Sequence, residues 1–323
     1  MSKKTISICI PTLNEEENVY KVVDVVEGLF RNDLANYLLE IIITDNASTD
    51  RTWEVVKELS KNRPYLKGFR FSRNFSYQNS VFAGLCLANG DAIIALDADL
   101  EDPPSVIPEF VKKWEQGFDV VYGVRKKRYA PVYLKILFNL FYRFLNLFSS
   151  INIPENAGDF RLLDRRVVDI LKELPERNLY LRGLVSYLGF NQAAVPYNRQ
   201  PRISGKSKFR FTHYIILAFD ALTALSKTPL RVIGIIGMGL FSFSLMLAAY
   251  YIISAILNPV EVKGFISIVV LLLSLHGINF IFLGIIGEYL SRIFDDAKYR
   301  PRVIISETTN VESSSKKSPP KIL

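Results

Sequence analysis

Residues 93–104 read IIALDADLEDPP. An apolar run of strand length ends there in carboxylates at alternate positions, and the Pro-Pro step then ends the strand and starts a helix. In an open α/β sheet the ligand crevice lies outside the carboxyl ends of the strands, which is where Asp97 and Asp99 fall. Hard oxygen ligands of this kind suit Mg²⁺ or Mn²⁺. A solvated acidic turn has the same short pattern, so the surrounding sequence must decide between the two interpretations.

The sequence around this stretch alternates between apolar segments of strand length and helical segments. Strands are predicted over residues 5–10, 38–44, 66–71, 92–96 and 119–123. Helices are predicted from residue 15, with Asn14 as the N-cap, and over residues 52–59, 78–88 and 104–116, with Gly90 as the C-cap of the third. Alternation of this kind predicts a doubly wound parallel sheet. No G-x-G-x-x-G follows the first strand and no Walker loop occurs, which argues against a dinucleotide oxidoreductase or a P-loop NTPase.

Composition indicates a soluble domain joined to a smaller membrane part. The chain has 323 residues, 49% of them hydrophobic, and a mean hydropathy of +0.17. This is apolar for a soluble protein and too polar for a pure membrane bundle. The net charge of +8 and the pI of about 9.3 favour an anionic partner, which from composition alone could be nucleic acid, anionic lipid or a phosphorylated substrate.

Two basic segments are each followed by an apolar, aromatic helix. The first is RKKR at residues 125–128, before a helix predicted over 131–148, and the second lies at residues 199–210, before a helix predicted over 211–228. Basic and apolar faces together favour an interfacial position at a membrane. A plain buried helix is the alternative interpretation for the first of them. Between the two, residues 157–164 return the chain to the soluble domain, followed by a helix near 166–172.

Two further segments carry no charged residue, at 232–257 and 264–287. Each exceeds the roughly 20 residues needed to cross a bilayer, so two transmembrane helices are predicted. Lys and Arg residues lie before the first and beyond the second, which predicts cytoplasmic termini and a cytoplasmic soluble domain at residues 1–210. In the tail at 291–323, an edge strand is predicted over 302–306 and disorder from Glu307.

Five motifs in chain order carry a resemblance to a known family. They are IPTLNE at 10–15, DNASTD at 45–50, LDADLEDPP at 96–104, GDFRLLDR at 158–165 and RISGKSKF at 202–209. The chain resembles the polyisoprenyl-phosphate glycosyltransferases of glycosyltransferase family 2, which have a Rossmann-like GT-A domain. It is more similar to the bacterial bactoprenol glucosyltransferases than to the dolichol-phosphate mannose synthases, which commonly have Ser-Gly at the positions of Gly158 and Asp159.

The resemblance implies a role for each motif. It assigns Pro11, Glu15 and Asp45 to the nucleobase and ribose of a nucleotide sugar. It assigns the divalent metal, Mg²⁺ or Mn²⁺, to Asp97, Asp99 and Glu101, with Asp97 and Asp159 as catalytic carboxylates. We interpret Asp159 as a group that orients the acceptor or its cation, since a lipid phosphate is mostly ionised at neutral pH and needs little help from a base.

The implied reaction is inverting transfer of a hexose, glucose from UDP-glucose, to a polyprenyl phosphate such as undecaprenyl phosphate. The acceptor needs positive charge, and the candidates at the membrane-facing edge are Arg125, Arg128, Arg143, Arg202 and Lys208. Attraction to anionic lipids is the alternative role for such residues. The acids Asp50, Asp102 and Asp164 are predicted to be structural caps.

Other functions remain open at this stage. They are transfer of mannose or another sugar, transfer to another lipid or a nascent glycan, and a non-enzymatic membrane scaffold. A Q-x-x-R-W motif is absent from the sequence, which argues against chain extension. Two spans bury little surface within a bilayer, and their glycine-bearing faces favour a homo-oligomer, for which the closer family likeness implies a tetramer. A bacterial plasma-membrane location is expected, and a nucleic-acid partner is not.

Overall fold

A mixed sheet of nine strands organises the computed structural model, which describes residues 3–126, 157–176, 179–200, 228–257, 264–311 and 321–322. The strands are β1 Thr5–Thr12, β2 Leu38–Asp45, β3 Leu66–Phe71, β4 Ala92–Ala95, β5 Val120–Arg125, β6 Ala157–Asp164, β7 Gln192–Tyr197, β8 Val303–Thr309 and β9 Lys321–Ile322. Their order in the sheet is β7-β5-β6-β4-β1-β2-β3-β8-β9.

The helices follow the strands along the chain. They are α1 Glu16–Asn32, α2 Thr52–Lys61, α3 Tyr77–Leu87, a 3₁₀ turn at Pro104–Val106, α4 Ile107–Glu115, α5 Arg165–Glu173, α6 Leu181–Tyr187, α7 Thr228–Leu257 and α8 Phe265–Ala297. Helices α1, α2 and α4 pack on one face of the sheet, and α3, α5 and α6 pack on the other. Along β1, for example, Ile8 faces the first layer and Cys9 the second, as the two-residue period of a strand requires.

The parallel prediction is confirmed for the centre of the sheet and wrong for its flanks. Strands β3, β2, β1 and β4 are parallel neighbours. Strand β6 is antiparallel to both β4 and β5, while β7 is parallel to β5 and β8 is antiparallel to β3. The chain leaves β5 and enters β6 at the same end of the sheet, since Val124 pairs with Ala157. A buried strand has the same apolar pattern in either direction, so the sequence alone did not reveal this reversal.

Three local predictions are corrected by the structure. Glu15, not Asn14, is the N-cap residue of α1, and the Asn14 side chain instead accepts a hydrogen bond from the Thr49 backbone at 2.8 Å. Helix α3 ends in an extended Ala88, so Gly90 is not its C-cap. The tail does not become irregular at Glu307, because β8 continues to Thr309.

Two long apolar helices, α7 and α8, occupy the positions of the predicted spans. Among the described residues, Ser274–Ala297 of α8 is long and apolar enough to cross a bilayer, and Val232–Met246 of α7 is a shorter apolar stretch. Large hydrophobic side chains such as Met238 and Phe280 are exposed along both helices. The predicted interfacial helices at 131–148 and 211–228 lie outside the described residues, apart from Thr228 at the start of α7.

Gly90 offers a test of how tightly β1 is packed. A Cβ atom at Gly90 would lie 2.8 Å from the Thr5 carbonyl oxygen and 2.8 Å from the Ser7 nitrogen, and both are backbone atoms that cannot turn away. We expect Gly90→Ala to lower the free energy of unfolding by about 1–3 kcal/mol, the usual cost of overpacking. Gly28 is the control, because it lies inside α1 with no atom within 4 Å of an added Cβ.

We expect Gly28→Ala to be neutral or stabilising by up to about 1 kcal/mol, since alanine is the better helix former. Thermal unfolding of the purified protein compares the two variants directly. Equal stability of the two alanine variants would contradict the close approach at Gly90.

Candidate active site

The β4–β6 pairing brings Asp97 and Asp159 to the same end of the sheet. The antiparallel ladder ends where Ala95 pairs with Arg161, two residues before Asp97 and two residues after Asp159. The charge of Asp159 acts on Asp97 across this end of the sheet. The first turn of α3 contacts both carboxylates: the Tyr77 hydroxyl donates to Asp97 Oδ1 at 2.7 Å, and Gln78 Nε2 donates to Asp159 Oδ2 at 3.3 Å. The predicted catalytic pair is therefore brought together at the carboxyl end of β4.

Asp159 is held as an ionised carboxylate by two arginines. Arg182 of α6 makes a forked contact, with Nε 3.0 Å from Oδ1 and Nη2 3.0 Å from Oδ2, and Arg161 Nη2 lies 3.7 Å from Oδ1. Burial by itself raises the pKa of Asp159, but the charges and hydrogen bonds of these arginines and Gln78 lower it to about 2. A group with so low a pKa is a poor proton acceptor at neutral pH, which agrees with an orienting role.

Asp97 has the opposite electrostatic character. Burial raises its pKa to about 7, opposed by the Tyr77 hydrogen bond and reinforced by the negative charges of Asp102, Asp99 and Asp159. Carboxylates buried this close together repel one another unless a cation or a proton lies between them. This repulsion, together with the all-oxygen donor set, fits a divalent cation of the Mg²⁺ or Mn²⁺ type.

The structure does not bring the three predicted metal ligands together. Within the described ranges, no group of three or more His, Cys, Asp or Glu side chains is spaced to hold a metal ion. Asp99 Oδ1 accepts a hydrogen bond from the Glu101 backbone at 3.1 Å, while the Glu101 side chain forms an ion pair with Arg199. Two carboxylates are nevertheless sufficient where substrate phosphates complete the coordination, as is usual for Mg²⁺.

Asp102 is not the helix cap predicted from the sequence. It is buried and accepts hydrogen bonds from Arg125 Nη2 at 3.1 Å and from the Tyr197 hydroxyl at 2.5 Å. These contacts connect the loop after β4 to the ends of β5 and β7. Arg125, a predicted acceptor-phosphate residue, is thus already paired with a carboxylate.

The remaining charged residues are the two other predicted caps and four predicted phosphate-binding residues. Asp164 is confirmed as the N-cap of α5, and Asp50 accepts from the Thr52 backbone at 3.0 Å at the start of α2. The other predicted phosphate-binding residues lie outside the described residues: Arg128, Arg143, Arg202 and Lys208.

The predicted nucleotide residues lie at the carboxyl ends of β1 and β2, with Thr12 paired to Asp45 across the two strands. Pro11 is the penultimate residue of β1, and Glu15 precedes α1. The loops after these strands are joined by hydrogen bonds, since Ser48 Oγ accepts from the Asn14 backbone at 2.9 Å and Thr52 Oγ1 from the Glu15 backbone at 2.9 Å.

Asp45 is wholly buried at the tip of β2. Its Oδ1 accepts from the Ser48 backbone at 3.2 Å. Its Oδ2 lies 3.4 Å from Arg70 Nε and has no hydrogen-bond partner in the described part of the chain. Burial raises the pKa of Asp45 in spite of these contacts. A buried carboxylate oxygen without a hydrogen bond at a strand tip is suited to accept a hydroxyl or N–H group from a ligand.

Arg70 connects Asp45 to the C-terminal strand. Its Nη1 donates to Glu307 Oε1 at 3.3 Å, and the other oxygen of Glu307 accepts from Trp53 Nε1 at 2.7 Å. Strand β8 thereby positions the arginine that faces Asp45. The strand predicted over 302–306 is confirmed by β8, whereas its contact with the site was not predicted.

Backbone strain is concentrated at the same edge of the sheet. The loops after β1, β2, β3 and β4 each contain one non-glycine residue with positive φ: Asn14 at 56°, Ala47 at 59°, Ser76 at 79° and Leu100 at 56°. Such conformations cost of order 1–3 kcal/mol each and cluster at functional sites. Four strained loops side by side indicate an edge shaped for binding.

Sequence reasoning missed Arg182, Tyr77 and Gln78. Arg182 lies 23 residues from Asp159 and Gln78 lies 81 residues from it. Neither sits in one of the five motifs, and no local pattern marks a residue whose role is set by a distant partner. Only the packing of α3 and α6 onto the same strands reveals them.

Comparison with known proteins places the chain in a family. The model of glycosyl transferase family 2 matches residues 7–171, and the chain belongs to this family. It is therefore a glycosyltransferase, and the non-enzymatic scaffold considered above is set aside.

Three relatives are similar to this chain over nearly its full length. The bactoprenol glucosyl transferase of Shigella phage SfV is 38% identical over 304 residues, which cover 93% of this chain and 97% of the relative. A prophage bactoprenol glucosyl transferase homolog of Escherichia coli is 38% identical over 304 residues, covering 93% and 98%. The uncharacterized glycosyltransferase YkcC of Bacillus subtilis is 36% identical over 308 residues, covering 95% of each chain.

The solved structures that resemble this chain are less similar to it in sequence than these relatives are. A mannosyltransferase of Pyrobaculum calidifontis, in complex with GDP-Man and Mn²⁺, has a TM-score of 0.47 at 16% identity, covering 68% of this chain and 61% of its own. Glucosyl-3-phosphoglycerate synthase of Mycobacterium tuberculosis has a TM-score of 0.44 at 17% identity, covering 68% and 78%. Likenesses this weak say nothing about ligands.

Substitution of Arg182 tests how the site holds Asp159. Replacing it by Gln removes the fork that holds Asp159, and we expect turnover to fall by up to about 10²-fold, the cost of misplacing a reacting geometry by about 1 Å. The pKa of Asp159 should rise in this variant because an opposite charge is lost. If the enzyme is active with Asp159 ionised, the acid limb of its rate-against-pH profile should move to higher pH in this variant.

The measurement is initial rate against pH for the wild type, Arg182→Gln and Arg182→Lys. Lysine keeps the charge but not the forked contact, so an intermediate rate with little shift of the acid limb is expected. A uniform loss of rate with an unchanged pH profile would show that Arg182 does not act through the Asp159 charge.

Proposed function

We propose that the protein transfers one hexose, glucose from UDP-glucose, to a polyprenyl phosphate such as undecaprenyl phosphate, with inversion at the anomeric carbon. The observation that carries this proposal is that the first turn of α3 holds both Asp97 and Asp159 at the sheet edge where β1 and β2 also end. The names of the bactoprenol glucosyl transferases that the chain resembles over almost its full length support the choice of sugar and lipid.

In this proposal the donor lies across the tips of β1, β2 and β4. Asp45 would accept hydrogen bonds from the nucleoside, with Pro11 and Glu15 beside it, and its Oδ2 has no hydrogen-bond partner among the residues that the structure describes. Asp97 and Asp99 would hold Mg²⁺ or Mn²⁺, with Glu101 as a further candidate ligand if it exchanges Arg199 for the cation. The bound cation would neutralise the negative charge that develops on the departing diphosphate.

Asp159 would orient the acceptor rather than deprotonate it. The second pKa of a phosphate monoester is near 6, so the attacking oxygen is already mostly ionised at neutral pH. A carboxylate facing an anionic acceptor needs compensating charge, and Arg161 and Arg182 supply it at 3.7 and 3.0 Å. Arg128, Arg143, Arg202 and Lys208 remain proposed phosphate ligands, and Arg125 would serve through its contact with Asp102.

We further propose that both α7 and α8 span the membrane. Helix α7 has 30 residues and α8 has 33. At 1.5 Å per residue each is roughly 45–50 Å long, well beyond a hydrocarbon core of about 30 Å. Basic residues outside the two apolar segments favour a catalytic domain and termini on the cytoplasmic side.

The two proposed transmembrane helices would also pack against those of other copies of the chain. At Gly234, Gly237 and Gly239 of α7 and Gly284 of α8, no atom of the described residues lies within 4 Å of an added Cβ, which leaves room for a neighbouring helix to approach. We propose a homo-oligomer, with a tetramer as the form implied by the closer family likeness.

Replacing Asp97 tests the reaction and the cation site together. With labelled UDP-glucose, undecaprenyl phosphate and Mn²⁺, the wild type should give a labelled lipid extractable into organic solvent. We expect Asp97→Asn to reduce its formation by at least about 10²-fold, as for loss of a group that stabilises transition-state charge. Asp33→Asn is the control, because Asp33 is exposed at the end of α1.

No labelled lipid from the wild type with any common nucleotide sugar would overturn the proposed function. Unchanged turnover in Asp97→Asn would overturn the cation assignment alone. Equal thermal stability of the two Asn variants would exclude unfolding as the cause of a lost activity.

The contact between Glu307 of β8 and Arg70 gives a second prediction. Glu307→Gln removes the charge that holds Arg70, so Arg70 can move and Asp45 loses its fixed partner. We expect a several-fold higher KM for the sugar nucleotide with little change in kcat, because donor binding is affected and the catalytic carboxylates are not.

Steady-state kinetics with varied donor provide the measurement, and Glu173→Gln is the matched control, because Glu173 is an exposed residue at the end of α5. A lower kcat with an unchanged KM would contradict a positioning role at the nucleotide site.

A further inference from the structure

Arg302 lies between helix α8 and strand β8 and is buried, with 6% of its surface exposed. A buried guanidinium group needs hydrogen-bond acceptors inside the protein. Its Nη2 donates to the carbonyl oxygens of Leu174 and, at 3.0 Å, Glu176. Both acceptors are backbone atoms of the segment that follows α5 and leads toward α6. These contacts therefore fix the backbone of that connection.

Leu174 is the C-cap residue of α5. The last four carbonyl groups of a helix have no partner within the helix, and this end carries partial negative charge. A cationic side chain that donates to one of these carbonyl groups stabilises the helix end. Leu174 itself is extended and is followed by Pro175, so the chain leaves the helix here. Arg302 thus holds the chain at the point where it turns from α5 toward α6.

Helix α6 begins at Leu181, after the segment that Arg302 holds, and carries Arg182. Arg182 makes the forked contact with Asp159. The Leu181 backbone N–H donates to Gln78 Oε1 at 3.2 Å, and Gln78 Nε2 donates to Asp159 Oδ2 at 3.3 Å. The start of α6 is thereby joined to α3 and to the catalytic carboxylate. A shift of the segment before α6 would therefore move Arg182 away from Asp159.

A second contact of Arg302 is with α3. Its guanidinium lies 4.5 Å from the ring centre of Phe82, a buried residue of this helix. At this distance a cation is attracted to an aromatic ring. The first turn of α3 contributes Tyr77 and Gln78, which contact the two catalytic carboxylates. Arg302 thus contacts one of the helices that hold Asp159 and the segment that leads into the other.

We propose that Arg302 is a positioning residue for sugar transfer. By holding the connection between α5 and α6 and by packing on α3, it keeps Arg182 and Gln78 in contact with Asp159. This role rests on the proposed function of Asp159, which is to orient the acceptor. Because Arg302 follows α8 closely in the chain, it also joins the end of this apolar helix to the catalytic carboxylate.

Steady-state kinetics of the full chain, with labelled UDP-glucose and undecaprenyl phosphate, test this role. Arg302→Gln removes the charge and shortens the donor that reaches the two carbonyl oxygens. We expect kcat to fall roughly 10-fold because a reacting group is displaced, with little change in the KM for the donor. Arg300→Gln is the matched control, since Arg300 is exposed in the same segment, and it should keep the kcat of the wild type. Equal kcat values for the two Gln variants would overturn the proposal.

A double variant separates positioning from a general loss of stability. If Arg302 acts through Arg182, Arg302→Gln should lower kcat little further in a chain that already carries Arg182→Gln, because the supported contact is gone. Independent effects would multiply, and a double variant whose loss equals the product of the two single losses would overturn the proposal.

Arg302→Lys adds a conservative comparison. Lysine keeps the charge and can donate to the same carbonyl oxygens, but it loses the flat contact with Phe82, so an intermediate kcat is expected. A Lys variant no more active than Arg302→Gln would contradict the role of these carbonyl contacts. If Arg302→Gln does not fold, the double-variant comparison is made with Arg302→Lys.

Hydrogen exchange measured by mass spectrometry gives a readout that needs no activity. We expect the amides of α6 to exchange faster in Arg302→Gln than in the wild type and in Arg300→Gln, because the segment before α6 loses its donor. Unchanged exchange in α6 would overturn the positioning role. A wild type that transfers no sugar would refute the proposed function, whereas faster exchange in Arg302→Gln would still support the hold of Arg302 on α6.

Discussion

The antiparallel pairing of β6 with β4 is the constraint on which the site depends. Because the ladder ends where Ala95 pairs with Arg161, Asp97 and Asp159 lie at the same end of the sheet. A parallel strand at this place would carry its tip residues in the opposite chain order, and Gly158 and Asp159 at its start would lie at the far edge of the sheet. The reversal of one strand therefore decides that acids from two distant motifs share one crevice.

The two carboxylates at this crevice are kept chemically different by their neighbours. Arg182 and Arg161 stabilise the charge of Asp159, while burial and nearby acids disfavour the charge of Asp97. Active sites commonly give two neighbouring carboxylates different pKa values, so that each can have its own role. Here the difference suits one group that is ionised at neutral pH and another whose ionised form a cation would stabilise.

The C-terminal strand β8 joins the two long apolar helices to the catalytic domain. Strand β8 follows α8 after a short turn and extends the sheet beside β3. Asn310 fixes its end, with its amide donating to the carbonyl oxygens of Ser60 at 2.6 Å and Leu66 at 2.9 Å. Through Glu307 and Arg70 the same strand reaches Asp45. Strand β8 therefore connects α8 to the edge of the sheet at which Asp45 lies.

Sequence by itself determined the parts of this protein that depend on neighbours along the chain. The parallel central strands, the placement of Asp97 and Asp99 at a strand tip, the two apolar helices and the cap at Asp164 follow from local periodicity and composition. Spacing did not reveal the ion pair between Glu101 and Arg199, a residue 98 positions further along the chain.

Tertiary structure alone decided the direction of β6, the pairing of Arg125 with Asp102, and the contacts of Arg182 with Asp159. The physical reason is the same in each case. A buried strand has the same apolar pattern in both directions, and a charged side chain carries no local mark of its partner. Such choices are made by the packing of segments far apart in the chain, where burial makes the correct partner of a charge much more favourable than solvent.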